Sequence, residues 1–210
     1  MELERRYVDG HSLKVEVRAD GEGRLIAGYA AVFDSLSVEL WGFRERIAPG
    51  AFANSLGDDV RALWNHNTEI VLGRTKANTL RLAEDNTGLR IEISPPASAA
   101  AYIETIERGD VDQMSIGFRA LEDTWDEDET GILIRTLNKI KLYEVSPVTF
   151  PAYPATSVGV RSEERLDPLF GLIPEIPAEF RRASDSADSI TVAAARARWA
   201  QRDRLLRVLL

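Results

Sequence analysis

The sequence contains no cysteine, which excludes a disulfide framework, a cysteine nucleophile and thiolate metal ligands. It has only two histidines, His11 and His66, so imidazole chemistry has two possible carriers and a zinc site would need both together with carboxylates. No window approaches the ~18 consecutive apolar residues of a membrane span, and the opening "MELERRYVDG" lacks the apolar core of a signal peptide. Positive charge is in deficit as well. The formal net charge is -8, which argues against a wrapped nucleic acid, because phosphate binding needs clustered Lys and Arg. A soluble, cytoplasmic protein with no membrane and no nucleic-acid partner is expected. Also missing are a phosphate loop ending in Gly-Lys-Ser or Gly-Lys-Thr, the His-Glu-x-x-His of zincins and the Gly-x-Ser-x-Gly elbow of α/β-hydrolases.

What remains is a globular composition, 44% apolar and 29% charged over 210 residues, enough for one packed domain with a tail or at most two small domains. "SLKVEV" and "RLIAGYAAVF" read as two strands joined by the turn residues of "RADGEG". "TLRLAE" and "GLRIEIS" make a second alternating pair around "DNTG". Pro49 marks a short helix of one or two turns in "IAPGAFANSL", with Ala51, Phe52 and Leu56 on its buried side. "SPPASAAAYIETIERGD" is the best helix, with Tyr102, Ile103 and Ile106 on one side and Gly109 past its end. It leads into the strand "VDQMSIGF", and the acidic "EDTWDEDETG" is expected as a solvated tip before "ILIRTLNKIKLYEVS". The prolines of "SPVTFPAYPATS" place the end of the core near residue 160. Residues 161–189, with three prolines and little periodicity, read as a linker or mobile arm. Residues 190–210 read as a basic amphipathic helix, five arginines against one aspartate, opposite in sign to the acidic body.

Serine hydroxyls are weak nucleophiles near neutral pH and need an imidazole to take the proton and a third group to orient that imidazole. Ser115, in "VDQMSIGF", interrupts an otherwise ordinary half-buried alternation, and a serine in a strand most often has no chemistry. His66, at the end of the apolar "ALW" and flanked by Asn65 and Asn67, is a better base than His11 in its polar terminal segment, although it equally suits a plain loop histidine. The 34 acidic residues offer many carboxylate pairs, and nothing in the pattern singles one out. Periodicity alone stops at a β-rich domain.

The segments "GYAAVFDS", "ERIAPGAFANSL", "ALWNHN" followed by "VLGRT", "DQMSIGF" and "YEVSPVTFPAYPAT" occur in an order and spacing that resembles the caudovirus prohead protease family, over about residues 24–160. The resemblance implies a capsid-maturation serine endopeptidase related in fold to the herpesvirus assemblins: mainly β with a few helices (α+β), a β-barrel core flanked by helices. A protease domain would then occupy residues 1–160. It implies His66 as base, Ser115 as nucleophile and Glu144 as the third member, where the herpesvirus relatives have a second histidine. Glu69 is too close in sequence to His66 to be the obvious orienter, and Asp110 or Asp112 would serve in another strand register. The implied partners are the major capsid protein precursor and scaffold inside the assembling prohead in the host cytoplasm, with a possible homodimer and no metal or cofactor. The competing class is a non-enzymatic internal scaffold protein that keeps the protease fold.

Overall fold

The computed structural model describes residues 3–8, 13–17, 23–40, 42–149, 166–167, 171–172 and 174–181. His11 and the basic segment 190–210 lie outside the described residues, as does most of 161–189. Residues 1–173 and 174–210 are separate units, and in the second the described part is a single 3-10 turn, Ala178–Phe180, followed by Arg181 donating to the Ile176 carbonyl at 2.8 Å.

The first unit is mainly β, with few helices. Its strands are β1 (Glu4–Val8), β2 (Lys14–Val17), β3 (Arg24–Val32), β4 (Phe43–Ile47), β5 (Arg61–Trp64), β6 (Asn67–Arg74), β7 (Leu80–Glu84), β8 (Gly88–Ile93), β9 (Gln113–Glu127), β10 (Leu133–Val148), β11 (Leu166–Asp167) and β12 (Gly171–Leu172), with α1 (Ala100–Glu107) before β9. The larger sheet runs β11-β12-β1-β9-β10-β5-β6, with β4 also on β10; the smaller runs β2-β3-β8-β7. Strand β10 is long enough to hold β4 in parallel along Leu133–Leu137 and β5 in parallel at Glu144–Val145. Bulges in the β9–β10 ladder add twist, and the larger sheet curls into a half-barrel.

Both sheets contribute to one apolar core: Ile26, Leu89, Ile91 and Ile93 from the smaller, Met114, Ile116, Phe118, Leu137, Ile140, Leu142 and Val145 from the larger. Burying a side chain such as Phe118 stabilises the fold by roughly 1.5–3 kcal/mol. Helix α1 closes one side with buried Ile103 and Ile106, and Tyr102 lies 4.9 Å, centroid to centroid, from Trp64 at the end of β5. Gly109, at φ 78, ends that segment as expected. Among the described residues no helix is long and apolar enough to cross a membrane.

Two local expectations need correction, and one strand was not expected at all. The segment after Pro49 forms successive turns rather than a helix: Ala51, Ala53 and Ser55 donate to the carbonyls of Ala48, Gly50 and Phe52, each three residues back, and no α-turn closes. Ala51 and Phe52 are nevertheless buried. The acidic run is largely strand, since Glu122–Glu127 pairs with the start of β10 and only Asp128–Gly131 turns. Pairing survives the charge because Asp123 meets Arg135 at 2.6 Å and Glu122 meets Lys139 at 2.9 Å across the ladder. Strand β1, "ERRYV", has no apolar alternation to announce it. Its Glu4 and Arg6 are buried in a charge cluster with Glu45 and Arg135, at separations of 2.6–2.9 Å.

Candidate active site

His66 sits on a two-residue hairpin turn. Trp64 pairs with Asn67, and the residues between them, Asn65 and His66, have φ of 50 and 58, the left-handed pair of a type I′ turn. Such values cost a non-glycine residue of order 1 kcal/mol, least for Asn, Asp and His, so the turn needs external ties. It has four. The Asn65 N–H donates to the Pro147 carbonyl at 3.0 Å, the Asn65 amide donates to Thr149 Oγ1 at 2.9 Å and accepts from the Thr149 N–H at 2.8 Å, and the His66 N–H donates to Ser146 Oγ at 3.2 Å. "WNHN" and "SPVT" are thus stitched together across roughly eighty residues of chain.

Those ties bring the imidazole over the end of β10. His66 Nδ1 lies 2.6 Å from Glu144 Oε1, and both side chains are largely buried, at 15% and 8% exposure. An ionised carboxylate only accepts, so Nδ1 carries the hydrogen and Nε2 keeps its lone pair. Nε2 makes no hydrogen bond among the described residues. Oε2 of Glu144 accepts a 2.5 Å hydrogen bond from Ser146.

Ser115 lies on the neighbouring strand and on the same face. In the β9–β10 ladder Ser115 is opposite Ser146 and Gly117 opposite Glu144, so Ser115, Gly117, Glu144 and Ser146 share the side away from Met114, Ile116 and Phe118. Ser115 is 3% exposed, and its Oγ donates to the Arg6 carbonyl of β1 at 3.1 Å. Among the described residues no hydrogen bond joins it to His66.

A bulge decides where Glu144 points. Leu142 is opposite Phe118 and Glu144 opposite Gly117, with Tyr143 as the extra residue. In an unbroken ladder Tyr143 would face Gly117, and Glu144 would be turned into the core beside Ile116. Gly117 then supplies room: a Cβ there would fall on Oε1 of Glu144 and within 2.9 Å of its Cγ and Cδ. Sequence reasoning missed Asn65, Thr149 and Ser146. Nor did it see why residue 117 must be glycine.

The other acids stand elsewhere. Asp110 pairs with Arg108 at 3.2 Å, and the Glu69 backbone N–H is bound by the Asn67 side chain at 2.9 Å. Asp112 contributes its carbonyl to the Leu13 N–H at 3.2 Å. Beside β6, the edge strand leading out of His66, a cleft of about 180 Å³ is lined by Glu69, Ile70, Val71, Pro96, Ser98, Ala99 and Tyr102.

A largely buried histidine bonded to a carboxylate on one side and without a hydrogen bond on the other among the described residues, with a serine on the strand paired to the carboxylate's, offers the base and acid of a hydrolase of the serine type. The chain belongs to the caudovirus prohead serine protease family, whose model matches residues 12–168. It is also 31% identical over 146 residues to a protein of Enterobacteria phage HK97 named prohead protease, a match covering 66% of this chain and 60% of that protein's length. No solved structure matches.

Proposed function

We propose that this chain is a serine endopeptidase of phage head assembly that cleaves the major capsid protein precursor or scaffold inside the prohead. Ser115 attacks the scissile carbonyl, His66 Nε2 takes its proton and returns it to the leaving amine, and water then hydrolyses the acyl-enzyme. Glu144 accepts from Nδ1–H, holds the tautomer and stabilises the imidazolium formed during attack. The observation that carries this is the 2.6 Å contact of His66 Nδ1 with Glu144, which leaves Nε2 open beside the strand pair bearing Ser115. Family membership supports the same reading.

In the resting arrangement the Ser115 hydroxyl is parked on the Arg6 carbonyl. Attack requires its rotation about χ1 toward the imidazole, a tightening typical of catalytic hydrogen bonds that form only once substrate is bound. The test is incubation of purified protein with its capsid precursor, with and without Ser115→Ala, followed by mass analysis of the fragments. Loss of cleavage on the order of 10⁶ in turnover, with the fold retained, is expected. Normal processing by the variant overturns the assignment. The basic segment 190–210 is proposed as a tether to an acidic assembly surface, so its removal weakens incorporation into the prohead more than cleavage of precursor in solution.

A further inference from the structure

We propose that Ser146 is a positioning residue for the His66–Glu144 pair, an inference that rests on the triad reading above and deepens it. Ser146 is completely buried, at 0% exposure. Its hydroxyl is shared by the two partners it lies between, donating to Glu144 Oε2 at 2.5 Å and accepting the His66 N–H at 3.2 Å. One oxygen therefore fixes both the acid and the backbone of the base.

The chemistry explains why such a tie is needed. A carboxylate has two equivalent oxygens and turns easily about its last torsion, so a histidine bonded to one of them is poorly located unless the other is held. Ser146 stands two residues after Glu144 on the same strand face, which makes the tie to Oε2 short and local and leaves Oε1 for Nδ1–H. The left-handed turn points the His66 N–H away from the ladder, where a buried donor without an acceptor would be costly. The Ser146 oxygen receives it.

Ser146 is also directly opposite Ser115 in the ladder, which makes it the rival nucleophile by position. Its proton is committed to the carboxylate rather than to the imidazole, so it orients and does not attack.

The experiment uses the full chain with its purified capsid precursor as substrate and a fluorophosphonate as active-site label, the labelled residue being identified by mass analysis. Ser146→Ala is expected to lower kcat about 10- to 100-fold, the loss of one charge-assisted hydrogen bond, with KM within about twofold. Ser146→Thr, which keeps the hydroxyl, restores kcat to within about threefold of wild type, and the label stays on Ser115. Wild-type kcat in Ser146→Ala, a change confined to KM, or a folded Ser146→Thr no better than Ala overturns the proposal. If Ser146→Ala does not fold, Ser146→Cys takes its place, being similar in shape with only a weak donor: reduced kcat at unchanged KM supports the role and unchanged kcat ends it. A label that survives Ser115→Ala and vanishes in Ser146→Ala overturns the triad reading itself, a result distinct from failure of the positioning role alone.

Discussion

Gly117 and Glu144 make a matched pair of side-chain choices, one giving up volume so that the other can lie across the strand. A methyl group at 117 would displace a flexible side-chain end rather than backbone, so Gly117→Ala should fold and still lose catalysis. The expected result is a fall in kcat of about 10²–10⁴-fold, the range of a disabled general base, with a small change in melting temperature, read from steady-state cleavage of precursor and a thermal melt. Glu144→Gln tests the same contact from the other side. The amide presents an N–H as readily as an oxygen to Nδ1, the tautomer is no longer enforced, and a fall in kcat of about 10⁴-fold is expected, with slower fluorophosphonate labelling of Ser115. Activity near wild type in both variants would remove Glu144 from the mechanism.

The strands β9 and β10 do more than carry residues, because the bulge at Tyr143 sets which side of the sheet the acid occupies. Strand β1 is the second device on this scale. It pairs with β9 from Met114 to Phe118, so it covers the edge of the strand that bears Ser115. Its anchor is electrostatic: burial opposes charge on Arg135, but Glu45, Glu4 and Asp123 outweigh that cost and hold the guanidinium more firmly protonated than an ordinary arginine. Removing Arg135 leaves two buried carboxylates, Glu4 and Glu45, to share the single guanidinium of Arg6. Arg135→Met should destabilise by about 3–5 kcal/mol, measured by denaturant unfolding; a loss below about 1 kcal/mol would mean the cluster is solvated in practice.

For the whole molecule, acid stability follows from carboxylates held in the folded state. The Arg74 hydrogen bond brings Asp59 from its ordinary 3.8 to about 2, while Tyr29 lowers Asp85 and Thr130 lowers Asp128. A carboxyl lowered by folding stabilises fully above its unfolded value and loses that contribution as pH falls through its folded one. Melting temperature should therefore hold above about pH 4 and decline between pH 4 and 2. Because Asp59 and Asp85 are exposed and Asp128 is only half-buried, the decline is shallow and weakens with added salt. Asp59→Asn should flatten part of it, and an unaltered acid profile would show that Asp59 contributes nothing.

Much of this architecture was legible in local pattern. The hairpins β2–β3 and β7–β8 follow from alternation around turn residues, and α1 from its apolar spacing and terminal Gly109. With two histidines and no cysteine, composition narrowed the candidate bases to His11 and His66, and only the family resemblance gave His66 the catalytic role. Strand β1 was not legible, because its buried side chains are charged and Arg135, which makes Glu4 tolerable there, comes from 131 residues away. The bulge left only a faint trace: the core positions of β10 fall at Leu137, Ile140, Leu142 and Val145, spaced by three, two and three instead of steadily by two. Residue identity along the chain specified an imidazole, an acid and a hydroxyl. Which face of the sheet each occupies, and that Ser146 stands between acid and base, came from strand pairing, because the parity of a β-strand is defined only against the neighbour it is bonded to.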